Sequence, residues 1–259
     1  MPDRSPSVPP DPTELWAPVL QAGTTTGVRL VGFPYAGAGP IVFRPWRASL
    51  PDFVELRSVL LPGRQTRLRE TPIESMPRLI DALEPAITPL CDRPLVLFGH
   101  SLGAIVAYEV ACRLRERGHT LYHLFVSANV APQYPDPNPP IHRLPPDAFL
   151  QELRRLNGMP AAVLACAELL EIVLPVVRAD FTLVETYRYE PRPPLACPIT
   201  VFGGTRDPRT TAEGLSAWRA QTTGAFEHVT VPGDHFFFDS ARAEILAKVS
   251  RVLAASVPT

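Results

Sequence analysis

The chain has 259 residues, 46% of them hydrophobic and 20% charged. That length is one to two domains and can bury a core without a disulfide or metal staple. Lys+Arg number 25 and Asp+Glu 26, a balance that excludes a strongly basic nucleic-acid binder and offers no general attraction to anionic membranes.

Residues 1–20, beginning MPDRSPSVPPDPTELW, are Pro-rich and polar and read as a loose arm without an apolar leader. From residue 27 short β-rich runs alternate with amphipathic segments. Strands are expected over 28–34, 54–61, 94–99, 122–128, 198–204 and 226–233. Most are continuous apolar runs of the kind covered on both faces. Helices are expected over 42–50, 76–90, 102–117, 211–221 and 240–254; in the last, Ile245, Leu246, Val249, Val252 and Leu253 recur at helical spacing. The alternation predicts a single α/β domain over 21–259, with a mostly parallel sheet flanked by helices.

Residues 140–190 break that rhythm. They hold several helical segments and no clear strand, which reads as a helical lid inserted over one end of the sheet. Their most apolar part, 161–177, is interrupted by Glu168, Glu171 and Pro175 and is too short and charged to span a bilayer. Cys91, Cys112, Cys166 and Cys197 are widely spaced in apolar segments. Buried free thiols are expected rather than a metal site, which suits a cytoplasmic protein.

The most informative motif is Gly99-His100-Ser101-Leu102-Gly103, which fits G-x-S-x-G. It follows the apolar run PLVLFG and precedes the helical run LGAIVAYEVACRLRERG, the strand–turn–helix context of a nucleophile elbow. Glycines are needed there because side chains would collide across so sharp a turn. The turn lifts the Ser101 hydroxyl to a helix N-terminus, where negative charge is favoured. His100 is expected to pack in the elbow rather than act as a base.

A serine nucleophile needs a base, and the base an orienting acid, in the chain order Ser, acid, His. His235, in VPGDHFFF after the last strand, is the expected base; His119, His123, His142 and His228 fit less well. Asp207, in FGGTRDP at the carboxyl end of a strand, is the expected acid. Asp234 is too constrained to orient its neighbour's ring, and Asp180, inside a helical run, is expected to make a structural ion pair. The oxyanion hole needs two backbone N–H donors. Leu102 is expected to give one, and Ala36 in the loop Phe33-Pro34-Tyr35-Ala36-Gly37-Ala38-Gly39 the other. Tyr35 is the alternative donor and a candidate substrate contact.

With these residues in place, the sequence resembles the type II thioesterases that accompany polyketide synthases and nonribosomal peptide synthetases. The resemblance rests on FPYAGAG, VLLPGRQTRLRE, GHSLGA, LPVVRADFTLVETYRYE, ITVFGGTRD and VPGDHFFF, six ordered motifs between about residues 29 and 255. It implies an α/β-hydrolase fold and puts the family's triad on Ser101, Asp207 and His235. The loop before His235 is PGDH where PGGH is commoner, so Asp234 adds a charge that bears on the pH optimum. Release domains at the ends of synthases carry their acid just after the strand that follows the nucleophile helix. That place here reads VSANVAP, with Ala128 and Asn129 and no carboxylate, which favours the free-standing editing type.

The resemblance implies hydrolysis of acyl thioesters held on the phosphopantetheine arm of carrier protein domains, with no cofactor of the enzyme's own. It implies no nucleic-acid or membrane partner; no large apolar stripe is evident, and a monomer is expected. The helical insertion, with Met159, would shape the acyl chamber. Arg64, Arg67, Arg69, Arg154 and Arg155 could dock an acidic carrier domain, although surface solvation or pairing to Glu70 is the simpler reading. A release thioesterase, a general carboxylesterase and a non-catalytic synthase-binding protein are the alternatives.

Overall fold

The computed structural model describes residues 11–24 and 27–256. Its strands are β1 (Val19–Gln21), β2 (Val28–Phe33), β3 (Val54–Ser58), β4 (Leu95–His100), β5 (His123–Ser127), β6 (Ile199–Gly204) and β7 (Phe226–Val231). They form one sheet in the order β1-β3-β2-β4-β5-β6-β7; β1 pairs antiparallel and every other neighbour is parallel. The helices are α1 (Pro12–Trp16), α2 (Met76–Ile87), α3 (Leu102–Glu116), α4 (Pro146–Arg155), α5 (Ala161–Leu164), α6 (Ala167–Glu185), α7 (Ala212–Ser216), α8 (Phe237–Ser240) and α9 (Arg242–Ala255). The expected mostly parallel sheet with flanking helices is the architecture found.

The period-2 alternation of the strands divides the core into two faces. Val31 and Phe33 of β2, Leu95 and Leu97 of β4, and Ile199 and Val201 of β6 pack with Leu79 and Leu83 of α2 and Ile105 and Tyr108 of α3. Their neighbours in the chain, Leu30, Val96, Phe98 and Phe202, face the other way. They pack with Phe43, Trp46 and Phe238 and with Ile245, Leu246 and Val249 of α9. Central strands covered on both sides must be apolar throughout, which is why these runs lack polar alternation.

Several boundaries differ from the sequence expectation. Residues 11–21, mostly assigned to the loose arm, form α1 and the edge strand β1; residues 1–10 lie outside the described residues. Asp11 caps α1 by accepting the Thr13 N–H at 2.9 Å. The expected helix at 42–50 is a 3-10 helix, Pro40–Ala48, with Pro45 inside it. β3 ends at Ser58, where Val59 N–H closes the last rung of the ladder on Gly32 O; the apolar residues to Leu61 stay buried but leave it, Leu60 N–H donating to Trp16 O.

The helical insertion is present as α4, α5 and α6, with its own small core of Ile141, Phe149, Leu153, Met159 and Val177. α6 runs through Pro175, which forfeits the hydrogen bond to the Glu171 carbonyl; Glu171 lies exposed, where water can take it over. The four cysteines are free, but only Cys112 and Cys197 are buried; Cys91 and Cys166 are half-buried, Cys166 because it sits at the exposed start of α6. Among the described residues no helix is long and apolar enough to cross a membrane.

Candidate active site

Parallel pairing of β4, β6 and β7 brings their carboxyl ends to one edge of the sheet, and the three expected triad residues lie just beyond those ends. Ser101 occupies the single residue between β4 and α3, at φ 54° and ψ −120°. A non-glycine residue reaches positive φ only when its surroundings force it there, and here they do. A Cβ on Gly99 would sit 2.1 Å from Gly103 O, and one on Gly103 would sit 2.0 Å from Phe33 O. The elbow is braced further: Ser101 N–H donates to Ser127 O at 2.8 Å, and Asn129 Nδ2 donates to Ser101 O at 2.9 Å.

His235 follows β7. Its Nε2 lies 3.0 Å from Ser101 Oγ, and its Nδ1 lies 3.0 and 3.1 Å from the two Asp207 carboxylate oxygens. Asp207, after β6, also accepts the Arg209 N–H at 2.8 Å. Burial pushes the Asp207 carboxyl up. The His235 hydrogen bond and charge, with the Arg209 N–H, outweigh it and leave the group below its ordinary value. The ionised carboxylate only accepts, so Nδ1 carries a proton and donates it, leaving the Nε2 lone pair of the neutral ring to face the Ser101 hydroxyl. That is a nucleophile–base–acid chain in which each member fixes the next.

Ala36 and Leu102, the two expected oxyanion donors, line the same cleft as Ser101 and His235. In the loop after β2, Gly37 N–H donates to Asp180 Oδ2 at 2.7 Å and Ala38 N–H to Tyr35 O at 3.0 Å. Tyr35 forms part of the cleft wall, its ring edge-on to Phe236 at 5.2 Å and to His100 at 5.8 Å between centroids. The cleft has about 780 Å³ of free space counted out to its mouth. The side formed by the helical insertion is apolar: Leu153, Leu156 and Met159, then Val177, Phe181 and Val184 along one face of α6.

Other expected residues fall as follows. His100 is buried in the elbow, as expected. Asp180 makes the expected ion pair, with Arg64, and Arg67 pairs with Glu70 and lies over the Trp16 ring. Arg64 and Arg67 are therefore buried and committed, not surface charges; Arg69, Arg154 and Arg155 are exposed. His142 pairs with Glu185, and His123 bonds Thr200. The Asp234 carboxylate accepts the Phe236 N–H. Sequence reasoning missed Phe236, Phe181, Val177 and Arg209 as cleft residues. The α6 residues had a usable signal, an i, i+4, i+7 apolar series, but only the packed helix shows which face is turned to Ser101.

The thioesterase domain family model matches residues 28–253. This chain belongs to the thioesterase family. It is 39% identical over 232 residues to the gramicidin S biosynthesis protein GrsT of Aneurinibacillus migulanus, covering 89% of this chain and 91% of that one. The RedJ thioesterase from the prodiginine pathway of Streptomyces coelicolor superposes with a TM-score of 0.82 at 40% identity, covering 97% of this chain and 96% of that one. BorB, the type II thioesterase of the borrelidin cluster, superposes with a TM-score of 0.87 at 34% identity, covering 93% of this chain and 98% of that one. The protein is thus a thioester hydrolase with the α/β-hydrolase fold, and BorB among its relatives is a type II thioesterase of a biosynthetic cluster.

Proposed function

We propose that this thioesterase hydrolyses acyl thioesters presented on the phosphopantetheine arm of carrier protein domains, clearing stalled or aberrant acyl groups from a biosynthetic assembly line. The observation that carries the reading is the unbroken hydrogen-bond chain from Ser101 Oγ through His235 to Asp207, set at the floor of an apolar cleft. The relatives' place in peptide and polyketide pathways supports the carrier-bound substrate. Working in the cytoplasm as a monomer is part of the same proposal.

In the first step His235 Nε2 takes the Ser101 proton as Oγ attacks the thioester carbonyl. The N–H groups of Leu102 and Ala36 receive the oxyanion, and Asp207 steadies the imidazolium without taking its proton. Collapse expels the pantetheine thiol, to which His235 returns the proton. Water, deprotonated by the same imidazole, then attacks the acyl-enzyme carbonyl; the acyl–Oγ bond breaks, the acid leaves, and the imidazolium returns the proton to Ser101 Oγ. Every group these steps need is a side chain or backbone amide of the chain, and the pantetheine arm arrives with the substrate, so no cofactor is invoked.

The test is a comparison of one acyl group on two leaving groups, a carrier-bound pantetheine thioester and a p-nitrophenyl ester. The proposal expects the higher kcat/KM for the carrier-bound form. A clear preference for the p-nitrophenyl ester would replace it with a general esterase.

A further inference from the structure

We infer that Asp180, backed by Arg64, is a positioning residue that sets the direction of the second oxyanion donor; this rests on the reading of Ser101 and Ala36 above. Asp180 is fully buried on α6. Its two oxygens accept Arg64 Nη1 and Nη2, each at 2.7 Å, and Oδ2 also accepts the Gly37 N–H at 2.7 Å. Arg64, itself buried, donates from Nη1 to the Ala38 carbonyl at 2.9 Å. One ion pair therefore grips the turn after β2 at two consecutive residues, by a donor of one and an acceptor of the next.

The grip decides where Ala36 N–H points. The Tyr35 carbonyl and the Ala36 N–H belong to one planar trans peptide and face opposite ways. Ala38 N–H holds that carbonyl at 3.0 Å, so fixing Ala38 fixes the Ala36 N–H. Arg64 holds Ala38 from its carbonyl side, and Asp180 holds the intervening Gly37 peptide. Among the described residues Gly37 and Ala38 N–H are thus taken, while Ala36 N–H has no protein acceptor and its residue lines the cleft beside Ser101 and Leu102. Gly37 stands at φ +79°, and a Cβ there would lie 2.7 Å from Val177 Cγ2, so the turn is also pressed against α6 one turn before Asp180.

A purely structural role predicts something different. A buried ion pair can often be replaced by apolar residues of similar volume without loss of stability. Such a replacement cannot accept the Gly37 N–H. The same α6 presents Val177, Phe181 and Val184 to the cleft, so the helix that walls the acyl site also aims the donor for the oxyanion.

The experiment measures steady-state kinetics on an acyl-carrier thioester, and affinity for an alkyl boronic acid that mimics the tetrahedral intermediate. The variants are Asp180→Asn, the double Arg64→Met/Asp180→Leu, and Ser101→Ala in parallel. The expected result for the double variant is a kcat lowered about 100-fold, the scale of a misplaced reacting group, with KM little changed and boronate affinity weakened in step, whereas Asp180→Asn, whose amide oxygen can still accept the Gly37 N–H, is expected to stay within about tenfold of the wild type. Wild-type kcat and boronate affinity in a folded double variant would overturn the inference. If neither variant folds, amide exchange of Gly37 in the wild type decides: exchange as fast as an unbonded loop amide overturns it, and protection supports it. Activity surviving in Ser101→Ala would instead overturn the reading of the site itself, so the two failures are distinguishable.

Discussion

His100 anchors the main chain of His235: its Nε2 lies 2.9 Å from the His235 carbonyl oxygen, and its Nδ1 lies 2.8 Å from Ser127 Oγ. A carbonyl can only accept, so Nε2 carries the proton and Nδ1 accepts from the Ser127 hydroxyl. The residue beside the nucleophile therefore ties the elbow to the loop that bears the base. Both ring nitrogens are spent, which is why His100 cannot serve as a base toward Ser101.

That arrangement makes stability depend on pH. Burial, and next the positive charge of His235, pushes the His100 imidazole down to about 3, and burial pushes His123 down to about 4. In the unfolded chain both return to about 6.5. Between those limits the unfolded state binds more protons, so stability is complete above about pH 6.5 and falls as the pH drops toward 3. Each imidazole adds up to about 1.4 kcal/mol per pH unit to that slope. Urea unfolding from pH 7.5 to 4.5 is expected to show the fall, and His123→Gln to reduce the slope by one proton. An unchanged slope in His123→Gln would contradict the account of that residue.

Asp207→Asn tests the tautomer argument. An amide donates as well as accepts, so it can hold His235 with its proton on Nε2, facing Ser101. The fold is expected to persist, because Asn keeps the size of the side chain and can still accept the Arg209 N–H. kcat is expected to fall by about 10⁴-fold. Because the Asp207 carboxyl sits below its ordinary value, it stays ionised throughout the neutral range, and the acid limb of the wild-type rate profile should not report it. A loss of under tenfold in Asp207→Asn would contradict its role.

Gly103→Ala is the sharpest steric test of the elbow. A Cβ at Gly103 meets backbone, Phe33 O at 2.0 Å and Pro34 O at 2.7 Å, so no side-chain rotation relieves it. The substitution is expected to cost about 4 kcal/mol or more, read by chemical denaturation. Gly118→Ala is the control: nothing lies within 4 Å of its Cβ position, and only the positive φ of +82° opposes the change. Its cost is expected to be about 1 kcal/mol.

Phe181→Ala should change which acyl groups react. Phe181 lines the cleft from α6 and meets Phe149 edge-on at 5.9 Å between centroids. Removing the ring extends the apolar space beside Ser101. The ratio of kcat/KM for hexanoyl over acetyl carrier thioesters is expected to rise about tenfold. No change in that ratio would place the acyl group elsewhere in the cleft.

The parts of the fold that could be read from the sequence share one property: local sterics or burial dictate them. Gly99 and Gly103 flank Ser101 because backbone crowds both positions, and that requirement is written in five residues. Asp207 and His235 could be picked out because apolar runs mark β6 and β7, whose carboxyl ends they follow. By contrast, β1 is three residues at a sheet edge, held by pairing with β3 rather than by any pattern of its own. The run to Leu61 shows burial but not the point where β3 leaves the ladder. Arg64 and Asp180 stand 116 residues apart. Within GRQTRLRE only Glu70, the partner of Arg67, is local; the groups that bury Arg64 and Arg67 come from α6, the Leu60 carbonyl and Trp16, and nothing in the motif marks Arg69 as the exposed one.

The most direct test of the central claim is intact-protein mass spectrometry of carrier protein loaded with acetyl, propionyl or a long acyl chain, incubated with the wild type and with Ser101→Ala. The account predicts fast loss of the short acyl groups with the wild type and none above background with Ser101→Ala. Hydrolysis that persists in Ser101→Ala, or no hydrolysis of any carrier-bound thioester by the wild type, would contradict it.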